Sequence, residues 1–325
     1  MGLRVAPAET ISAMSARETM NGRVVAVVGP TATGKSDLGI ALAERLGGEV
    51  VNADASQLYR GMDIGTAKVP ADQRRGVPHH QLDVLDVTQE STVAAYQAGS
   101  RLDIEAVLAR GRVPLVVGGS GLYVRAALDV LEIPPTDPDV RARWEAALEE
   151  RGAHALHREL SERDPEAARG ILPGNGRRTV RALEVIELTG RPFSSTMPRR
   201  EFLRPTVMLG LRAPRHELHE RVAVRVDRMW ADGLLEEVRG LEPLGLRRGR
   251  TASRAIGYAQ ALGQLDGALP EHEAKEQTVL ATRRLVRRQE AWFRPEPRVV
   301  WLPYDAPDLL DRALATIGAP TPLTP

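Results

Sequence analysis

The sequence predicts an α/β fold, a parallel sheet flanked by helices and interrupted by an all-helical insertion domain. Three observations carry that expectation. Short Val- and Leu-rich runs recur at 24–28, 49–53, 113–117, 206–211 and 298–302, separated by helical stretches, the alternation that builds sheets covered on both faces. Two of those runs end in glycine-rich turns that open helices. From Asp139 to about Gly190 strand character disappears and only helical spacing remains.

At 325 residues the chain is long enough for two domains, or for one with an insertion. The net charge of +1 excludes a surface that is basic throughout, so any nucleic-acid contact must be a local patch. The chain has no cysteine, which excludes disulfides, thiolate metal sites and cysteine nucleophiles. Residues 1–20 lack the apolar segment of a signal peptide and are expected to be a disordered extension. No apolar run reaches the length of a membrane span. A flexible tail is expected at 313–325, with a cytoplasmic location.

The first strand leads into Gly29-Pro30-Thr31-Ala32-Thr33-Gly34-Lys35-Ser36, the phosphate-binding P-loop pattern G-x-x-x-x-G-K-[ST] in its strand–loop–helix setting. Its chemistry is anion capture. The loop's N–H groups and the helix N-terminus converge on phosphate oxygens, Lys35 adds a charge, and Ser36 is the candidate Mg²⁺ ligand. A helix over 37–46, with apolar Leu38, Ala41, Leu42 and Leu46, stops at Gly47-Gly48. The strand 49–53 then closes a right-handed βαβ unit and delivers Asp54 to the sheet edge at which open α/β folds bind ligands. The polar stretch 60–68 reads as a loop over that site, with Lys68 as a second phosphate contact. His79 and His80 are adjacent and cannot share one face of a strand, so local hydrogen bonding is expected rather than a metal site.

A helix over 96–110 and the strand 113–117 follow. That strand ends in Gly118-Gly119-Ser120-Gly121, a second turn whose N–H groups face the same sheet edge. A plain structural turn is the alternative. Pro134-Pro135-Thr136-Asp137-Pro138 is a linker, which sets the core at 21–135 and 204–312 and the insertion at 136–203. After the strand 206–211 comes a helical stretch, 215–241, with a break at Asp232-Gly233. The helix 271–293 is the clearest amphipathic element. Val279, Thr282, Leu285, Val286, Gln289, Trp292 and Phe293 fall on one side, and Arg283, Arg284, Arg287, Arg288 and Arg294 on the other. Five arginines with only Glu290 among them favour a polyanion contact over a merely solvated face.

A P-loop alone names no reaction. Asp54 is the acidic residue closest to it on an adjoining strand, because 115–117 runs into Gly-Gly instead. An aspartate so placed assists a metal ion or acts as a base. An ATP-dependent phosphotransferase acting on a small metabolite stays open, as does a nucleotide-gated RNA-binding protein without chemistry.

Taken together, GPTATGKS at 29–36, Asp54 with SQLY at 56–59, RGMDIGTAK at 60–68, PHHQLDV at 78–84, VGGSGLY at 117–123, DPDVR at 137–141, RRTVRALEV at 177–185, AIGY at 255–258 and ATRRLVRRQEAWFR at 281–294 resemble the tRNA dimethylallyltransferases. The resemblance runs in order over about 24–302. It implies Mg²⁺-dependent transfer of a dimethylallyl group from dimethylallyl diphosphate to N6 of the adenosine 3′ of a tRNA anticodon, with the insertion helping to embrace the anticodon stem-loop; a monomer is expected. It implies Asp54 as the base, Lys35 on the diphosphate, a hydroxyl from Ser120 at the reaction centre, and Arg141 as a diphosphate or tRNA contact. Contacts to tRNA are implied for Asp54, Ala55, Ser56 and Gln57, for Arg177, Arg178, Thr179, Val180 and Arg181, and for Arg254, Ala255, Ile256, Gly257, Tyr258 and Ala259. Arg283, Arg284, Arg287 and Arg288 complete the set. For Tyr258 the alternative is core packing, and for Arg177, Arg178 and Arg181 an exposed helix face. The chain departs from the family pattern at Ser120 (commonly Thr), Ala55 (commonly Ser) and Gly174-Asn175-Gly176 (commonly Asn-Asp-Pro).

Overall fold

The computed structural model describes residues 22–196 and 200–318. The extension expected at 1–20 and the end of the expected tail, 319–325, lie outside the described residues. The chain forms two compact units, Met1–Leu128 with Phe202–Pro325, and Asp129–Glu201. Backbone bonds close each unit at its own ends. Leu203 N donates to Leu128 O at 2.8 Å in the first, and Val130 N donates to Glu201 O at 2.9 Å in the second. The boundaries therefore fall at 128/129 and 201/202 rather than at the proline linker.

The first unit is built on a six-stranded sheet of order β3-β2-β4-β1-β5-β6, every pair parallel. The strands are β1 (Val24–Val28), β2 (Gly48–Asn52), β3 (His79–His80), β4 (Val113–Val117), β5 (Thr206–Arg212) and β6 (Val299–Pro303). Central β1 pairs Val25 with Leu115 of β4 and Val27 with Leu209 of β5. None of its five residues is more than 1% exposed. Each valine so buried contributes about 1.5–3 kcal/mol. Strand β3 was not legible in advance, because two residues carry no periodicity.

Helices α1 (Lys35–Leu46), α2 (Val93–Ala109) and α3 (Gly121–Leu128) connect the early strands. In the second unit, α4 (Pro138–Arg151), α5 (Ala153–Arg163), α6 (Pro165–Gly170) and α7 (Gly176–Thr189) enclose a core of Leu156, Leu160, Ile171, Val180 and Leu183. Asp137, Asp164 and Asn175 cap three of these helices, Asn175 through the Arg178 N–H. The unusual Gly174-Asn175-Gly176 turn thus still starts a helix. Back in the first unit come α8 (Arg215–Ala231), α9 (Leu234–Leu241), α10 (Tyr258–Leu265), α11 (Glu271–Phe293) and α12 (Leu309–Gly318). Helix α12 corrects the flexible tail expected from 313. Ala313 and Ile317, one turn apart, are buried with Leu38, Leu42 and Leu302 in the sheet's main core. Among the described residues, no helix is long and apolar enough to cross a membrane.

Candidate active site

Geometry begins at the P-loop. Gly29 turns the chain at φ 131°, and a Cβ there would lie 2.6 Å from Leu211 O of β5, so only glycine passes this close to the neighbouring strand. Ala32 holds a left-handed φ of 68°, a strained conformation for a residue with a side chain. Four side-chain bonds hold the loop around it. Thr33 Oγ1 donates to Pro30 O at 2.9 Å, Arg221 Nε donates to Ala32 O at 2.7 Å, Arg225 Nη1 donates to Thr31 Oγ1 at 3.1 Å, and Thr31 N donates to Gln289 Oε1 at 2.8 Å. Helix α1 then starts at Lys35 with no side-chain cap. Its first-turn N–H groups are left for an anion.

Lys35 Nζ donates to Pro30 O at 2.7 Å. Burial, with Arg225 beside it, lowers its pKa to about 8, against the opposing pull of Asp54. Burial likewise lowers the pKa of Arg225, again opposed by Asp54. Lys35, Arg225 and Asp54 thus form one electrostatic group.

Asp54 stands just beyond β2 and caps the 3₁₀ turn Ala55–Leu58, its Oδ1 accepting the Ser56 N–H at 2.9 Å. Asn52, 4% exposed, fixes its backbone from both sides. Asn52 Oδ1 accepts the Asp54 N–H at 3.1 Å, and Nδ2 donates to Asp54 O at 3.0 Å and to Gln81 O at 2.9 Å. The second glycine turn packs against this corner. A Cβ at Gly118 would sit 2.2 Å from Ala53 O, one at Gly119 2.2 Å from Gln289 Nε2, and one at Gly121 2.0 Å from the Trp292 ring. Ser120 follows, with Oγ accepting the Ala55 N–H at 3.4 Å. The turn therefore brings the Ser120 hydroxyl to the segment that follows Asp54, although Ser120 lines neither of the two cavities described next.

Two cavities meet here. One, of about 920 Å³, is lined by the P-loop, Lys35, Ser36, Gln57, Gly118, Gly119 and the α8 arginines Arg221, Arg225 and Arg228. The other, of about 480 Å³, is lined by Ala55, Ser56, Tyr59, Arg250, Arg254, Ala255, Ile256, Leu285 and Arg288. Thr31, Asp54, Thr66, Arg225 and Met229 line both. One end of the combined space is phosphate chemistry, the other a basic and partly apolar mouth, and the carboxylate lies between them.

Several expectations change. Lys68 is no free phosphate contact, because its ammonium donates to Tyr59 O (2.9 Å), Asp63 Oδ1 (2.5 Å) and Asp83 Oδ1 (2.6 Å), which uses all three of its protons to pin the 60–68 loop. Tyr258 is fully buried, its hydroxyl donating to Glu237 of α9, so core packing is its role. The same Glu237 Oε2 accepts the N–H groups of Asp63 (3.0 Å) and Ile64 (2.7 Å). Arg283 does not join the arginine face. It is tucked against α8, with Nη2 donating to His219 O at 3.3 Å. Trp292, expected on the buried side, is 41% exposed. Arg284, Arg287 and Arg288 are exposed as expected. His79 Nδ1 bonds Val77 O, the local partner expected, whereas His80 Nε2 reaches Glu49 on β2, 31 residues away.

In the second unit, Arg177 and Arg178 are exposed while Thr179 and Val180 are buried in the core, so the latter two side chains are not contacts. Arg141 and Arg181 both bind the fully buried carboxylate of Glu184. Thr136 Oγ1 adds a bond at 2.6 Å. Burial alone would raise the Glu184 pKa, but the bonds from Thr136, Arg181 and Arg141 prevail and hold it below the ordinary value. The Arg141 guanidinium is thus committed to a structural partner.

Arg221, Arg225, Arg228, Asn52 and Gln289 were not singled out in advance as site residues. The arginines recur at i, i+4 and i+7 on one helix, the same signal that marked α11.

A family model described as IPP transferase matches residues 57–296, well over half the chain. The chain is 64% identical over 299 residues to a tRNA dimethylallyltransferase of Thermobifida fusca, covering 90% of this chain and 94% of that one. It is 62% identical over 280 residues to one of Streptomyces coelicolor, covering 86% and 90%. Among solved structures, the full-length tRNA isopentenylpyrophosphate transferase of Bacillus halodurans aligns with a TM-score of 0.67 at 40% identity, covering 91% of this chain and 95% of that one. A eukaryotic dimethylallyltransferase described as acting on tRNA aligns at 0.76 and 27% identity, covering 90% and 77%.

Proposed function

The chain belongs to the IPP transferase family, and on that premise we propose that it transfers a dimethylallyl group from dimethylallyl diphosphate to N6 of the adenosine next to a tRNA anticodon. The observation that carries the reading is the meeting of two unlike cavities at Asp54 and Arg225. The larger takes the donor. Its diphosphate lies on the uncapped N-terminus of α1 and the P-loop N–H groups, with Lys35 and Arg225 opposing its charge. The smaller takes the adenine, which must leave the anticodon stack to reach a carboxylate this deep.

Adenine N6 is a weak nucleophile, its lone pair delocalised into the ring. As the N6–C1 bond to the allyl group forms, the C1–O bond breaks and the diphosphate leaves with the bonding pair. Asp54 receives the N6 proton. Preorganised donors at the diphosphate stabilise the charge that develops on it, at about 3 kcal/mol for a well-placed group. A divalent ion bound with the donor would neutralise further charge on the leaving group. Among the described residues no group of three or more His, Cys, Asp or Glu side chains is placed to hold a metal ion; the Ser36 hydroxyl would hold it, with substrate oxygens and water. That set suits Mg²⁺, which keeps much of its water.

On the RNA side stand Ser56, Arg254 and Arg288 in the smaller cavity, with Arg284 and Arg287 exposed on the same helix as Arg288. The insertion would contribute Arg177 and Arg178. The test is mass spectrometry of an anticodon stem-loop RNA incubated with the protein, dimethylallyl diphosphate and Mg²⁺. The reading expects one added C₅H₈ group on adenosine. An unchanged RNA mass, with ATP turned over instead, would replace it with phosphoryl transfer.

A further inference from the structure

Gln289 is a buried amide, 6% exposed, on a helix otherwise marked by arginines. Its Oε1 accepts the Thr31 N–H at 2.8 Å, across 258 residues of chain. Its Nε2 lies over the other glycine turn, so close that a Cβ at Gly119 would come within 2.2 Å. One side chain of α11 therefore touches the turns that end both β1 and β4. Thr31 precedes Ala32, held at φ 68°, and lines both cavities. Helix α11 is already anchored by buried Ala274, Val286 and Phe293. An apolar side chain at 289 would serve that packing without the cost of burying an amide, so the amide is explained by the loop it holds. Its neighbour Arg288 opens into the smaller cavity.

We infer that Gln289 is a positioning residue through which α11 sets the P-loop for diphosphate and couples that loop to RNA bound at Arg288. The inference rests on the reading of the P-loop as the donor's diphosphate site. With α11 steadied by RNA, the Gln289 oxygen fixes the Pro30–Thr31 peptide, directly ahead of Ala32. The N–H groups that follow then stay aimed at phosphate oxygens.

The test uses the full chain, with inorganic pyrophosphate and Mg²⁺ as the probe, measured by calorimetry with and without an anticodon stem-loop. Gln289→Met keeps the volume and removes the acceptor. Loss of one such bond is expected to weaken pyrophosphate binding roughly tenfold and to raise KM for dimethylallyl diphosphate by the same factor. RNA affinity and Tm stay at the wild-type values, which a merely structural residue would not spare. The stem-loop tightens pyrophosphate binding in the wild type and not in the variant. In the wild type alone, hydrogen exchange of 29–36 slows when stem-loop is added without pyrophosphate, a readout that does not depend on the variant folding. Unchanged pyrophosphate affinity in Gln289→Met, or P-loop exchange indifferent to RNA, overturns the positioning role and leaves the donor site standing. A wild type that ignores pyrophosphate, or a Lys35→Ala protein that binds it as well, overturns the donor-site reading and the inference with it.

Discussion

Raising the pH should release the donor, and the size of the effect follows from Lys35. Burial, reinforced by Arg225 and opposed by Asp54, brings its pKa to about 8 in the free protein. Diphosphate binds the ammonium form. Below pH 8 that form is already present. Above it, binding must take up a proton, and each pH unit costs about tenfold in affinity until the pKa of the bound state is reached. At pH 9 roughly one lysine in ten is charged, so affinity should be about tenfold lower than at pH 7. The assay is calorimetry of dimethylallyl diphosphate binding without RNA, from pH 7 to 9.5, in buffers of different ionisation enthalpy. A phosphate group with its second pKa near 6 does not itself titrate in that range. Proton uptake should approach one per site at pH 9. Lys35→Arg keeps its charge throughout and should flatten the profile. A flat wild-type profile without proton uptake would refute the assignment of Lys35 to the diphosphate.

Three further expectations follow from the same contacts. Arg225→Met removes bonds to Thr31 Oγ1 and Thr66 O together with a charge. It should raise KM for the donor roughly 10- to 100-fold and shift the Lys35 limb to higher pH, as the pH dependence of KM will report. Tyr258→Phe deletes the hydroxyl that Glu237 accepts and should cost about 1 kcal/mol of stability in denaturant unfolding while KM for RNA holds. A raised RNA KM at unchanged stability would return Tyr258 to the interface. Glu184→Gln removes the charge that Arg141 and Arg181 share, at a cost of about 3 kcal/mol. Because the folded pKa of Glu184 is depressed, its contribution is present above the ordinary glutamate pKa and is lost as pH falls through the folded value. Thermal unfolding should therefore show an acid limb in the wild type that is smaller in the variant.

What could be read in advance was local. The P-loop, Asp54, the second glycine turn and the arginine helix each occupy a short stretch whose pattern states its own chemistry. What escaped notice joins distant stretches. Arg225 reaches Thr31 across 194 residues and Gln289 reaches it across 258, and no window of sequence shows that a helix arginine faces a loop. Burial was misjudged for the same reason. Lys68 and Tyr258 look like available polar groups until Asp83 and Glu237 arrive to bind them. Asn52 reads as one residue inside the strand expected at 49–53, and its hold on Asp54 depends on the chain turning back upon itself. The tail expected at 313–325 begins inside helix α12, whose amphipathic stretch is short and runs close to prolines, and its burial against the sheet supplies what its length does not.

Transfer, as proposed, turns on the carboxylate between the two cavities. Its most direct test is single-turnover transfer from dimethylallyl diphosphate to an anticodon stem-loop, comparing the wild type with Asp54→Asn, which keeps the shape and removes the base. The expected result is a prenylated adenosine from the wild type and a rate roughly 10²- to 10⁴-fold lower in the variant, with donor binding and Tm preserved. Transfer by Asp54→Asn at the wild-type rate would contradict it.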